Sequence, residues 1–80
     1  MILNYITSNP EILGGKPIIK GTRISVQMII EWMASGATID DIVQEYKHIP
    51  TEGIKEALLY ASNSLKNEIF LEVRTLNLAA

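Results

Sequence analysis

The stretch GGKPIIKGTRISV, Gly14 to Val26, decides how the rest of the chain is arranged. Gly14-Gly15 ahead of Lys16-Pro17 is a turn signal, because glycine reaches positive φ without steric cost and proline fixes its own φ. Ile18-Ile19 is a short β-branched run, and Lys20-Gly21 marks a second turn. Ser25 stands where a helix N-cap belongs, its hydroxyl placed to accept from the first unpaired N–H groups of a helix that follows. The order expected is turn, short strand, turn, helix start, with Lys16, Lys20 and Arg23 carried on the bends.

Working outward, Met1 to Thr7 alternates weakly and is the expected first strand, broken by Ser8-Asn9-Pro10. Ile18-Ile19 is its candidate partner in a minimal sheet. Downstream, Val26 to Ser35 reads as a helix with Val26, Ile29, Ile30 and Met33 on one stripe. Met28 and Trp32, four residues apart, form a second stripe. Two stripes mean either a helix buried all round or a dimer seam built on Met28 and Trp32. Gly36 closes this helix as its C′ residue.

Thr38 opens a second helix in a capping box with Asp41 at N3, and Asp40 beside it suits the positive end of the helix dipole. These acids need no catalytic role. Ile39, Ile42, Val43 and Tyr46 give the inner face, and Lys47 to Pro50 is a turn. Thr51 is expected to cap a third helix from Glu52, striped by Ile54, Ala57, Leu58, Ala61 and Leu65. Glu68 to Ala80 fits a continuing helix through Ile69, Val73 and Leu76, or an extended segment; both readings stay open.

Eighty residues make one domain, residues 1–80, without internal repeat or linker. A body this small buries only about 60% of its unfolded surface, so its core is marginal. It has no cysteine to cross-link it, yet 48% of its residues are hydrophobic and its mean hydropathy is +0.17. Self-association is the simplest outlet, and a homodimer is expected. The net charge of −2 lacks the whole-chain basic excess of most nucleic-acid binders. The charge is uneven, however: residues 14–24 carry three cations and no acid, whereas residues 36–46 carry Asp40, Asp41 and Glu45 and no base. No apolar run approaches a membrane span and the N-terminus lacks a basic leader, so a soluble, cytoplasmic protein is expected.

Ile42 and Val43, Tyr46, Ile49, then Ile54, Ala57 and Leu58 sit at the inward positions of a helix-turn-helix. Lys47-His48 replaces the usual turn glycine. GGKPIIKGTRISV, with Gly36, the Tyr46–His48–Ile49 turn and Ala57-Leu58…Tyr60-Ala61, resembles the small bacterial family catalogued as domain of unknown function 433. The resemblance runs from about Ile6 to Asn63. It implies a compact helix-turn-helix-like domain, and many members are described as antitoxins beside a ribonuclease-like toxin.

Candidate DNA-contacting residues are Lys16, Lys20, Arg23 and Lys55. Glu52 and Glu56 stand beside Lys55 at the start of the third helix, where carboxylates would face phosphate oxygens. Arg23 has a second reading as an internal strut, pairing with a carboxylate such as Glu11. Candidate dimer or partner-contacting residues are Met28, Trp32, Leu59, Tyr60 and Phe70. A phosphate-binding loop fails on spacing, because Pro10 and Pro17 stand where a glycine and a hydroxyl are required. His48 is the sole histidine, no thiol is present, and the acids are explained by capping and solvation. Hence no catalytic residue, cofactor or metal is expected.

The expected fold is mainly α: a short N-terminal β element followed by a three-helix, helix-turn-helix-like domain, as a homodimer. The expected function is an antitoxin-like regulator that binds a ribonuclease-like toxin and, as a second ligand, its own promoter DNA. The alternative is a homodimeric interaction module without DNA affinity.

Overall fold

A computed structural model describes the backbone of residues 2–79 and the side chains of residues 2–65. Strand β1 (Ile6–Thr7) pairs antiparallel with β2 (Ile18–Ile19), in the register Ile6 opposite Ile19 and Thr7 opposite Ile18. Helices α1 (Val26–Ala34), α2 (Ile39–Glu45) and α3 (Thr51–Ala79) follow. The fold is mainly helical, with the small sheet at its N-terminal edge.

Residues 14–26 fold in the expected order. Leu13–Gly15 is a 3₁₀ turn in which Gly14 and Gly15 take φ of 66° and 85°. Beyond β2 the chain reverses through Gly21, at φ 76°. Here Thr22 fixes the bend: its hydroxyl donates to the Ile19 carbonyl at 2.8 Å and accepts from the Ile24 N–H at 3.0 Å. Ile19 N–H in turn donates to the Ile24 carbonyl. The returning chain enters α1 with Ser25 as N-cap, its Oγ accepting from Met28 N–H at 3.0 Å.

α1 ends in a Schellman motif. Gly36 N–H donates to the Met33 carbonyl and Ala37 N–H to the Trp32 carbonyl, made possible by Gly36 at φ 109°. Two residues on, Thr38 and Asp41 form the expected reciprocal capping box.

The core is nearly all isoleucine: Ile6, Ile19, Ile24, Ile29, Ile42, Ile49 and Ile54 with Val26 and Ala57. Ile29, Ile49, Ile54 and Ala57 are completely buried, so α1, α3 and the turn between α2 and α3 supply the centre, with Ile42 of α2 packed beside it. Burying one isoleucine contributes about 1.5–3 kcal/mol. The inward positions expected of a helix-turn-helix are therefore those that pack.

Three expectations need correction, and one open reading is decided. The first strand covers only Ile6–Thr7, because the N–H groups of Asn4, Tyr5 and Ile6 are taken by a side chain of α3. Ile30 is 37% exposed rather than interior, since α3 and the sheet cover the flank carrying Val26 and Ile29. α3 begins at Thr51, one residue early, with the Pro50 carbonyl as first acceptor of Gly53 and Ile54 N–H. The segment after Lys66, for which helix and extended readings both stood open, is helical as far as Ala79.

Candidate functional site

The most tightly defined polar feature is one that charge patterning hides. Glu56 lies on the second turn of α3 and points back across the N-terminal segment. Its Oε1 accepts from Asn4 N–H at 2.9 Å, and its Oε2 accepts from Tyr5 and Ile6 N–H at 2.6 and 2.9 Å. Partial burial pushes its pKa up, but the three backbone donors and the positive charge of Lys20 outweigh this and hold it below the ordinary 4.5. Glu56 is thus not a surface acid standing beside Lys55: its carboxylate is an internal anchor. No local pattern announces it, because its partners lie fifty and more positions away.

The four candidate cations do not form one patch of equals. Lys16 Nζ donates to Gln27 Oε1 at 3.4 Å, and Gln27 passes the chain on to Glu31. Lys20 follows β2, bonds through its N–H to the Tyr5 carbonyl, and carries its charge toward Glu56. Lys55 is exposed on α3 beside Glu52 and Glu56. Arg23 is exposed at the hairpin and has no polar partner among the described residues, so it is not the internal strut. Thr22 does that work, a role that a hydroxyl directly after Gly21 in a turn signals locally.

At the far end of α1, Trp32 stacks on Tyr46 with ring centroids 5.1 Å apart and planes 7° from parallel. His48 meets the other aromatic partner, Tyr46, edge-on at 6.4 Å. Trp32, Ala37, Asp41, Ile42, Glu45 and Tyr46 line an open pocket of about 210 Å³ there. Asp41 is engaged through Oδ2 with Thr38 N–H, and its pKa is lowered by that backbone bond and by the Thr38 hydroxyl. Glu45 has no polar partner among the described residues. Met28, on the same flank of α1 as Trp32, is half-buried.

On α3, Tyr60 is half-buried against the core, whereas Leu59 is 53% exposed. Ala61 is the last described residue of the inner stripe to touch the core, and the next on that stripe, Leu65, is 45% exposed. The side chain of Phe70 lies outside the described residues. Among the described residues no three histidine or acidic side chains converge as metal ligands would, and no helix is long and apolar enough to cross a membrane.

The architecture recurs in a solved structure, that of a DUF433 member protein from Anabaena variabilis ATCC 29413. It aligns with a TM-score of 0.72 and 25% identity, over 89% of this chain and 69% of that one. A Sinorhizobium fredii (strain NBRC 101917 / NGR234) protein, "Uncharacterized protein y4eO", is 34% identical over 56 residues, 70% of this chain. The chain spans only 25% of that relative's length. Residues 6–61 match the family described as "Protein of unknown function (DUF433)", taking in the glycine-rich hairpin, the capped helices and the helix-turn-helix alike; the chain belongs to that family.

Proposed function

We propose that this chain is an antitoxin-like regulator, a non-enzymatic domain that acts by protein contact and uses α3 to hold a ribonuclease-like toxin. One observation carries the reading. The inner stripe of α3 loses its cover at Leu65, 45% exposed, while the same helix continues to Ala79 with Ile69, Val73 and Leu76 at stripe spacing in the sequence. Leu65, left uncovered on that stripe, is the kind of apolar side chain that docks into a groove. The toxin's class comes from the family resemblance alone.

The promoter-binding expectation has weaker support. Lys16 is engaged by Gln27, Lys20 faces Glu56, and Glu52 and Glu56 flank Lys55 in sequence, so the four candidate cations do not act as one basic patch. The reading without DNA affinity is therefore preferred, with a homodimer as the resting assembly.

Calorimetric titration of a ribonuclease-like protein encoded beside this chain tests the proposal. Leu65→Lys is expected to weaken binding at least tenfold with the thermal transition unchanged. Equal affinity of wild type and variant would remove α3 as the docking element.

A further inference from the structure

We infer that the Trp32–Tyr46 pocket is completed by Arg23 of a second copy of this chain, in a two-fold dimer whose α1 helices run antiparallel. The inference takes the homodimer from the reading above and adds to it the contact that forms it.

The pocket's chemistry selects a cation. Its floor is a stacked tryptophan–tyrosine pair and its rim carries the carboxylates of Asp41 and Glu45, one helical turn apart on α2. Aromatic faces attract cations, and guanidinium above all, because it stacks on a ring while its N–H groups reach carboxylate oxygens in the same plane. At about 210 Å³ the pocket accepts the end of one side chain rather than a drug-sized ligand, which needs ~300 Å³ or more. Glu45 is unpaired among the described residues, and it closes α2 at the negative end of the helix, where an acid is electrostatically misplaced unless a cation joins it.

The chain supplies a matching group. Arg23 is exposed, lacks any polar partner among the described residues, and is held out on a rigid bend by Gly21 and Thr22. Residues 14–24 hold only cations and residues 36–46 only acids, so the two surfaces complement each other. Within one chain they cannot meet. Arg23 precedes the start of α1 whereas the pocket lies at its end, and nine helical residues hold them about 14 Å apart. Reversing one α1 against another places each hairpin at the other copy's pocket, the isologous arrangement of a two-fold interface. Met28, half-buried on the same flank of α1 as Trp32, lies between Arg23 and the pocket.

Charge reversal measured by sedimentation equilibrium at moderate salt tests this, with far-UV circular dichroism to confirm folding. Wild type should be dimeric. Arg23→Glu and Glu45→Arg should each weaken the dimer at least tenfold, and the doubly reversed chain should recover most of the loss. The fluorescence of Trp32, the sole tryptophan, should shift on dilution of wild type, and should shift at an at least tenfold higher concentration in either single variant. A dimer indifferent to both reversals would overturn the pocket contact while leaving the homodimer reading standing. A monomeric wild type would overturn both. If monomeric wild type shifts its tryptophan emission only when an arginine-rich peptide is added, the pocket serves a foreign basic segment and the second-copy assignment falls.

Discussion

Glu56 Oε2 accepts the N–H of Tyr5 at 2.6 Å, joining residues fifty-one positions apart. With the bonds from Asn4 and Ile6, one carboxylate on α3 takes over what a strand partner would otherwise do for the N-terminal segment. The sheet is short for that reason, and α3 is tied to it by hydrogen bonds as well as by the Ile6–Ile54–Ala57 packing.

This anchor makes stability acid-sensitive. The pKa of Glu56 is depressed in the fold below 4.5, and that of Asp41 below 3.8. The stabilisation is thus complete above the unfolded values and is lost as pH falls through the folded ones. Thermal unfolding should give a flat transition temperature from neutral pH down to about 5.5 and a decline below about 4.5. Glu56→Gln should lower the plateau and flatten the decline, while Glu52→Gln, exposed one turn earlier, should change neither.

Thr22 and Arg23 stand side by side but do different things. Thr22→Val should destabilise by about 1–3 kcal/mol, because Ile24 N–H loses its partner inside the bend. Arg23→Ala should stay within about 0.5 kcal/mol when unfolding is measured at protein concentrations low enough to exclude association. Denaturant titration of both variants separates turn-holding from surface contact.

Glycine substitutions should have opposite signs. Gly53 is helical and buried, yet an added Cβ would meet Ile49 Cγ2 and the Tyr5 ring at 3.6 Å, ordinary contact distance. Gly53→Ala is expected to stabilise by about 0.5–1 kcal/mol through helix propensity. Gly21 has open space around it but sits at φ 76°, so Gly21→Ala should cost about 1–2 kcal/mol.

These contrasts follow what the sequence states locally and what it does not. Ser25, Thr38 and Gly36 were legible as helix boundaries because a cap is set by residues three or four positions away. The inward set Ile42, Ile49, Ile54 and Ala57 was legible for a similar reason, since helical periodicity marks a face. Periodicity does not say which edge of a wide stripe gets covered, so Ile30 was misplaced and Leu65 was not recognised as exposed. Glu56 looked like a surface acid beside Lys55, because its three donors come from the opposite end of the domain. The pocket depends on Trp32 meeting Tyr46 across two helices, a tertiary fact without a local signature.

The surface charges also give a prediction about DNA. If Lys16, Lys20, Arg23 and Lys55 all met phosphate, log K would fall against log salt with a slope of about −3.6. Titration of duplex DNA at two salt concentrations should instead give weak binding with a shallow slope. A steep slope, reduced by about one on Lys55→Glu, would restore the promoter-binding reading.

The claim on which the functional account turns is that this chain works by occupying a ribonuclease-like partner. The direct measurement is RNA cleavage by the ribonuclease-like protein encoded beside it, titrated with the purified chain. Cleavage is expected to fall to background at a fixed stoichiometry, and Leu65→Lys is expected to shift that end point to higher concentration. Cleavage that continues undiminished at a large excess of folded wild-type protein would contradict the account.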